Sequence, residues 1–447
     1  MRFAQKKVSH PTKNGNGNRQ RIFPPEKEIE NFRKDMLECM QKMSLAHQNT
    51  KGMVAVFGSS KCKPEDKNYQ LAQETCFELG KAGYGIITGG GPGIMEASNI
   101  GACAAGAPSI GVQPKFLGEI EKAIEQEGKD QYYVHSMHSR KVSISANSSA
   151  MLYFPGGFGT MDELFENLVL SQIGKLKGVK HILVGSSNYW KGLLNWVEEH
   201  LLRKNYIKKE EMRLFNLATT PKEVLKIVQQ TAFTPIKHSA EQLAEWFAKD
   251  LLECEKHLGK IMHPSISIFG SSKINAGEKL YWSAKRLVSK LSSLGFAIYS
   301  GGGSGIMEAV AKGALEAGKK AYGLIPVFFF EREKPNPNES NHVMLNMMAS
   351  RKLVLGSSDA LLFYPGGFGT LDELFEFSVR QVIKDMHKVP IIAYGKEYWE
   401  GLYSWLERYP LEMNLMKRED LNLINIVNSE KQALRIIIDW QVENADK

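Results

Sequence analysis

A twelve-residue segment that occurs twice constrains this chain more than any other feature of its sequence. Residues 155–166 read Pro-Gly-Gly-Phe-Gly-Thr-Met-Asp-Glu-Leu-Phe-Glu, and residues 365–376 differ from them at one position only. The apolar run 150–154 ahead of the first segment has the pattern of a buried strand, and apolar residues after the glycines fall at helical spacing. A strand, a glycine turn and a helix start together form an anion site, because backbone N–H groups and the helix dipole face the turn.

The repetition extends over the whole chain. Residues 32–39 match 247–254, 57–60 match 269–272, 89–97 match 301–309, and 139–141 match 350–352. A unit of about 200 residues has therefore been duplicated in tandem, and each copy is long enough to bury its own core, unlike a solenoid repeat. We expect a disordered basic tail at 1–25, a first domain at 26–235 and a second at 236–447, each domain with a leading helix.

Within the first copy, apolar runs alternate with helical patterns. The expected strands are 53–57, 84–88, 109–112, 150–154 and 181–184, with helices between them. Strands that alternate with helices are typical of a doubly wound α/β fold, so we expect two tandem Rossmann-like domains, each with a mostly parallel sheet. Residues 115–135 are too polar to assign, and the corresponding residues 331–338 have the composition of a loop.

Composition narrows the class of protein. Hydrophobic residues make up 43% and charged residues 24% of the 447 residues, which is ordinary for a soluble globular protein. The five cysteines show no CxxC spacing, so neither a disulfide framework nor a zinc site is expected, and a cytoplasmic protein is favoured. No apolar run reaches the ~18 residues of a membrane span. The net charge of +8 comes without a basic-aromatic patch, so we expect neither a membrane nor a nucleic acid as partner.

A second glycine turn, residues 89–93, lies between a strand and a helix. Its glycines let backbone amides approach a phosphate closely. A tight turn without a ligand gives the same pattern. The segment also departs from the dinucleotide fingerprint, since it does not follow the first strand and no acidic residue is placed to bind a ribose. NAD is therefore not an expected ligand.

An Arg-Lys pair begins a helix in each copy, at 140–141 and at 351–352. Adjacent side chains on a helix point to different faces, so one member of each pair enters a pocket while the other meets solvent or a partner. The planar guanidinium group suits phosphate or carboxylate, which favours arginine as the member in the pocket.

Glu163 and its equivalent Glu373 admit two interpretations. Thr160-x-x-Glu163 fits a capping box, in which the carboxylate stabilises the helix start. A cap does not need the glycines ahead of it, which favours a second role beside a bound anion. Two glycine turns that hold a phosphate, with an arginine and a glutamate beside it, suit cleavage of an N-glycosidic bond. Such cleavage passes through an oxocarbenium-like state, which a carboxylate stabilises while it activates water.

The three motifs resemble those of the LOG family, the lysine decarboxylase-like proteins, whose members carry GGGxxGxM, MxxRK and PGGxGTxxE. The resemblance covers both copies, roughly residues 50–232 and 262–445. It implies a nucleoside 5′-monophosphate phosphoribohydrolase that releases the base and ribose 5-phosphate from AMP or cytokinin nucleotides, without a pyridoxal cofactor or a metal. Members usually pair as dimers with sites lined by both protomers. The two halves are thus expected to form an intramolecular pseudo-dimer, with a further homo-oligomer left open.

By motif position, the resemblance implies catalytic roles for Arg140, Glu163, Arg351 and Glu373. The residues expected to bind phosphate or nucleotide are Gly58, Ser59, Gly90, Gly91, Gly93, Lys141, Gly156, Gly157, Gly159, Thr160, Gly270, Ser271, Gly302, Gly303, Gly305, Lys352, Gly366, Gly367, Gly369 and Thr370. Base preference is expected to depend on residues 115–135 and 327–346, where the copies differ most. The alternatives are a nucleotide- or cofactor-binding carrier of the same fold and, less favoured, a DNA-binding protein.

Overall fold

The computed structural model of the chain describes residues 26–118, 128–185, 187–231, 239–258, 264–330 and 341–444. The expected tail at 1–25, the domain boundary near residue 235 and the loop at 331–338 lie outside these ranges. Two sheets, each of seven strands, are formed by the two halves of the chain. No helix among the described residues is both long and apolar enough to cross a membrane.

The first half contributes one sheet and the helices around it. Its strands are β1 (Met53–Phe57), β2 (Gly85–Thr88), β3 (Ser109–Pro114), β4 (Lys129–Val134), β5 (Ala150–Tyr153), β6 (Lys180–Val184) and β7 (Phe215–Ala218). Its helices are α1 (Glu26–Gln48), α2 (Lys67–Lys81), α3 (Ile94–Ala104), α4 (Lys115–Gly118), α5 (Met137–Ala146), α6 (Phe158–Gln172), α7 (Ser187–Val197) and α8 (Pro221–Val228). The strand order is β4-β3-β2-β1-β5-β6-β7.

The second half repeats this arrangement. Its strands are β8 (Ser265–Phe269), β9 (Ala297–Ser300), β10 (Ala321–Pro326), β11 (Asn341–Leu345), β12 (Ala360–Phe363), β13 (Ile391–Tyr394) and β14 (Ile424–Val427). Its helices are α9 (Ala240–Leu258), α10 (Lys279–Ser293), α11 (Ile306–Glu316), α12 (Val327–Phe330), α13 (Met348–Leu355), α14 (Phe368–Val382), α15 (Lys396–Leu406), α16 (Arg418–Leu421) and α17 (Glu430–Glu443). The order is β11-β10-β9-β8-β12-β13-β14.

All strand pairs in both sheets are parallel. The predicted α/β doubly wound fold is confirmed, and the sheets are wholly rather than mostly parallel. The strand order reverses between β1 and β5, and between β8 and β12. Ligands of doubly wound folds bind at such a switch point, beyond the carboxyl ends of the strands. The glycine turns after β1, β2 and β5 lie at this edge.

The two halves share a hydrophobic core. One face of each sheet, together with α5, α6, α13 and α14, contributes to a single buried cluster that spans both halves. The opposite faces form two separate cores, one beneath α2, α3 and α8 and the other beneath α10, α11 and α17. Phe165 of α6 stacks on Phe375 of α14, with ring centroids 5.6 Å apart. The halves are therefore joined through apolar burial rather than only through the connecting chain.

The leading helices α1 and α9 pack against each other across this seam. Phe32 and Phe247 stack with centroids 4.0 Å apart and ring planes 12° apart. Both rings are almost fully buried. The helices at the start of each copy therefore cover the junction between the halves.

Candidate active site

Three loops meet at the switch point of each sheet. In the first half, the Ile94 amide donates to the Ser59 carbonyl at 3.1 Å, and the Ser59 amide donates to the Pro155 carbonyl at 3.3 Å. These bonds join the turn after β1 to the turns after β2 and β5. Gly93 has φ +72°, and a Cβ there would collide with the Ser59 carbonyl, so only glycine fits this crossing.

The same three loops meet in the second half. The Ile306 amide donates to the Ser271 carbonyl at 3.1 Å, and the Ser271 amide donates to the Pro365 carbonyl at 3.0 Å. Gly305 has φ +69°. The structure therefore brings the glycine and serine positions of the sequence prediction together in both halves.

Helix α6 begins earlier than the sequence pattern indicates. Its N-cap is Gly157, without a side-chain capping bond, and Thr160 is the third residue of the helix. The predicted capping box is therefore wrong. The Thr160 hydroxyl instead lies against Gly156, where a Cβ would collide with it. Glu163 falls in the second turn, where it has no amide left to cap.

Glu163 is a buried carboxylate without a hydrogen-bond donor among the described residues. The residue is 3% exposed, and neither Oε1 nor Oε2 accepts a hydrogen bond. Arg140 Nη2 lies 4.0 Å from Glu163 Oε1. The guanidinium group also lies against the turn after β2, since a Cβ at Gly89 would collide with it. The arginine, the glutamate and the glycine turn thus lie together, as the motifs predict.

The corresponding arginine and glutamate of the second half are hydrogen-bonded to each other. Arg351 Nη1 donates a short hydrogen bond to Glu373 Oε1, and Arg351 Nε donates to the Leu324 carbonyl at 3.1 Å. A Cβ at Gly301 would lie 2.6 Å from Arg351 Nη2. The two sites therefore share residues and placement but differ in the hydrogen bonding of the carboxylate.

Burial controls the acidity of both glutamates. It raises the pKa of Glu163 above its ordinary value, although Arg140 opposes the shift. It likewise raises the pKa of Glu373, against the opposing charge and hydrogen bond of Arg351. A carboxylate with a raised pKa is a stronger base than a free one, which suits activation of water.

The two lysines that follow the arginines enter a different site, which we call the central charged cluster. Its members are Lys141, Asp162, Glu166, Lys352, Asp372 and Glu376. The Lys141 ammonium lies 2.7–3.0 Å from three of these carboxylates, and the Lys352 ammonium lies 2.7–3.1 Å from three. Lys141 contacts Glu376 of the second half and Lys352 contacts Glu166 of the first half, so each lysine bonds across the two halves.

The phosphate-binding role predicted for the lysines does not fit this geometry. Lys141 and Lys352 are buried, and all three donors of each ammonium group face carboxylates, which leaves none for a phosphate. The second member of each Arg-Lys pair is expected to face solvent or a partner, and here each lysine contacts the other half of the chain.

Three carboxylates of the cluster have the spacing of a cation site. One oxygen from each of Asp162, Asp372 and Glu376 lies within 4.8 Å of the others. Two lysine ammonium groups already act as the cations there. Burial opposes the ionisation of Glu376, yet the two lysines hold its pKa well below its ordinary value. Burial raises the pKa of Asp162 and Asp372.

Each glycine turn after β5 or β12 is covered by a loop from the opposite half. A Cβ at Gly157 would lie 2.9 Å from the Leu415 carbonyl, and one at Gly367 would lie 2.7 Å from the Tyr206 carbonyl. Sequence reasoning did not identify Leu415 or Tyr206, because a backbone contact leaves no residue-type signal. Each pocket is thus bordered by both halves.

The walls of the two pockets differ beside the turns after β2 and β9. The Gln131 amide lies against Gly90, whereas Ile325 lies against Gly302. Gln131 Nε2 is 3.5 Å from Gln113 Oε1, so the first pocket has a polar wall and the second an apolar one. Gln131 and Gln113 come from β4 and β3.

The comparison with protein families agrees with this geometry. A family model described as "Possible lysine decarboxylase" matches residues 95–228 and 307–437, one match in each half and together more than half of the chain. The chain belongs to this family. Both matches of this lysine decarboxylase-like, or LOG, family include the arginine helix and the PGGFGT segment.

Relatives of known name align with about one copy. A cytokinin riboside 5′-monophosphate phosphoribohydrolase of Arabidopsis thaliana is 27% identical over 210 residues, which cover 47% of this chain and 93% of that protein. A protein of the same name from Rhodococcoides fascians is 29% identical over 130 residues, 29% of this chain and 65% of that protein. Among solved structures, a Moco carrier protein from Chlamydomonas reinhardtii is 18% identical, with a TM-score of 0.31, over 41% of this chain and 99% of that one.

Proposed function

We propose that the protein hydrolyses the N-glycosidic bond of a nucleoside 5′-monophosphate, AMP or a cytokinin riboside monophosphate, to the free base and ribose 5-phosphate. The observation that carries the proposal is the buried Glu163 carboxylate, which has no hydrogen-bond donor in the described part of the chain and lies beside Arg140 and two glycine turns. Relatives named as phosphoribohydrolases support the same reaction class.

Each residue of the site has a separate role in the proposed reaction. The backbone amides of the glycine turns and the Thr160 hydroxyl hold the 5′-phosphate at the start of α6. Arg140 pairs with the phosphate or the ribose hydroxyls. Glu163 stabilises the oxocarbenium-like ribose and takes a proton from the water whose oxygen bonds to C1′. The electron pair of the broken C1′–N bond stays on the base, which gains a proton.

The two halves serve as each other's partner in this proposal. The loops at Leu415 and Tyr206 border the phosphate turns of the opposite half, as a second protomer does in a dimeric relative. In this proposal, the pseudo-dimer within one chain supplies two complete sites without association of a second copy.

Release of free base tests the reaction. The wild-type chain is incubated with AMP and, separately, with isopentenyladenosine monophosphate, and the base is quantified by chromatography. Replacement of both glutamates, Glu163→Gln and Glu373→Gln, is expected to lower the rate at least about 100-fold with an unchanged melting temperature. A double variant as active as wild type would falsify the catalytic assignment. Nucleotide binding without base release would support the carrier alternative.

The single variants test whether the halves contribute equally. Because Glu373 already accepts a hydrogen bond from Arg351 and Glu163 accepts none from the residues that the structure describes, we expect the first pocket to carry most of the turnover. Glu163→Gln should then cost about 100-fold, and Glu373→Gln about twofold or less. Equal losses from the two variants would contradict this ranking.

A further inference from the structure

An apolar cleft lies between the halves, away from the glycine turns. It is bordered by α5 and α6 of the first half and by α9, Phe328 and residues 346–349 of the second. We call it the interface cleft, and its apolar walls are Leu170, Leu176, Leu243, Trp246, Phe328 and Met348. Lys141 and Glu166 of the central charged cluster also border it. Its volume is about 110 Å³.

The mirror position on the other side of the molecule carries charged groups where the interface cleft has Leu170 and Leu243. Through the repeat, Leu170 corresponds to Arg380, and Lys175 corresponds to Asp385. Arg380 Nε donates to Asp385 Oδ2 at 2.7 Å, and Arg380 Nη1 lies 3.9 Å from Glu376 Oε1. Glu28, which corresponds to Leu243, lies in the field of both charges. The two sides of the duplicated chain therefore differ, since Arg380 forms an ionic network on one side at the position that the apolar Leu170 occupies on the other.

Lys175 gives the interface cleft a positive charge. Its ammonium group lies 5.9 Å from the Trp246 ring centroid and 5.2 Å from that of Phe328. Among the described residues it has these rings as partners and no carboxylate, whereas its mirror residue Asp385 is ion-paired. A cation at the border of an apolar cleft attracts an anionic group attached to a hydrocarbon body.

We propose that the interface cleft binds a small organic carboxylate with a body of about one aromatic ring. The body packs between Leu170 and Trp246, and the carboxylate pairs with Lys175. The volume limits the buried body to about one ring, because an apolar cavity of about 150 Å³ accepts benzene and the cleft is smaller, at about 110 Å³. The proposal stands independently of the hydrolase activity, since none of these side chains borders the glycine turns.

The test uses the full chain and ligand-observed NMR. The probes are 3-phenylpropanoate, the neutral 3-phenylpropan-1-ol and the cationic 3-phenylpropylamine. Because 3-phenylpropanoate pairs with the Lys175 ammonium, we expect it to bind up to about fivefold more tightly than the alcohol. We expect the amine to bind most weakly, because its charge has the same sign as that of Lys175. Lys175 is partly exposed, so Lys175→Asp should be tolerated. This variant should bind the amine more tightly than the carboxylate.

The mirror side supplies the matched variant. Leu170→Arg combined with Lys175→Asp installs the charged residues of the mirror side, and we expect loss of binding of all three probes with an intact melting temperature. Probe binding that is equal in wild type and double variant would overturn the proposal. So would the absence of binding in wild type at millimolar probe, the result expected if another segment of this chain fills the cleft.

Discussion

At the scale of single residues, the Glu163 carboxylate stands out because burial without a hydrogen-bond donor is costly. The residue is 3% exposed, and Arg140, at 4.0 Å, is too distant to donate a hydrogen bond. In the proposed reaction, the attacking water or a ribose hydroxyl donates to this carboxylate.

Substitutions at Gly159 and Gly369 are expected to affect phosphate binding without an effect on folding. A Cβ at Gly159 would make an ordinary 3.6 Å contact with Val379, and one at Gly369 would meet nothing within 4 Å. The folded protein thus has space for Gly159→Ala and Gly369→Ala, but the new methyl groups would obstruct a phosphate at the helix start. We expect an unchanged melting temperature and a KM for AMP raised about tenfold, equivalent to about 1.4 kcal/mol.

Gly156→Ala is the contrasting variant. A Cβ there would collide with the Thr160 hydroxyl and lie 3.1 Å from the Ser59 amide, so this substitution should lower the melting temperature as well. An unchanged KM in Gly159→Ala would argue against phosphate at this turn.

His138 predicts a pH dependence of stability. Burial lowers the pKa of His138 to about 3, from an ordinary value of 6.5. Between these values the unfolded chain binds a proton that the folded protein does not, so stability falls as pH drops below 6.5, by about 1.4 kcal/mol per pH unit for one such group. His138→Ala, which installs the residue of the second half at this position, should lose less stability than wild type between pH 7 and pH 5. Urea titrations at both pH values check this; equal losses would contradict it.

At the scale of elements, the leading helices orient the arginine helices. Asp250 of α9 accepts hydrogen bonds from the Asn346 and Met347 amides at 2.7 and 2.9 Å and from the Ser350 hydroxyl at 2.5 Å. Asp250 therefore caps α13 from a separate helix. Asp35 of α1 takes the equivalent place and accepts from the His135 amide at 2.8 Å. The leading helices thereby link the seam between the halves to Arg140 and Arg351.

Removal of these two carboxylate acceptors tests the link. Asp35→Asn and Asp250→Asn should each cost about 1–3 kcal/mol of unfolding free energy, because a charged acceptor is lost from a buried site. Asp35→Asn should also lower the turnover of AMP, since α5 carries Arg140. Glu38→Gln on the exposed face of α1 is the control and should change neither quantity. Full turnover in Asp35→Asn would show that α5 keeps its position without α1.

The elements also show what sequence patterns predict and what they miss. The helix pattern at 137–146 matches α5, because its cap and apolar spacing are local. Strands β4 and β7 were not predicted. Both are edge strands of mixed burial, so their residues show neither an apolar run nor a strict alternation. In the site, the motifs predict that the arginines and glutamates lie together. They do not predict the carboxylate contacts of the lysines, because those contacts depend on packing between the halves.

At the scale of the whole molecule, neither half has a complete surface of its own. The shared core, the central charged cluster and the two crossing loops all require both halves. Residues 239–447 expressed alone should therefore self-associate or precipitate and should release no base from AMP. Co-expression with residues 26–231 should restore soluble, active protein, as measured by light scattering and base release. A stable, active monomer of residues 239–447 would refute the pseudo-dimer.

The difference between Leu170 and Arg380 has a genetic consequence. In a dimer of identical chains every substitution appears on both sides of the axis, so an ionic network on one side could not coexist with an apolar residue at the same position on the other. Fusion of the halves lifts that restriction, since each codon specifies one side only. A mutation at residue 170 or 380 therefore changes one side of the molecule while the other side keeps its residue.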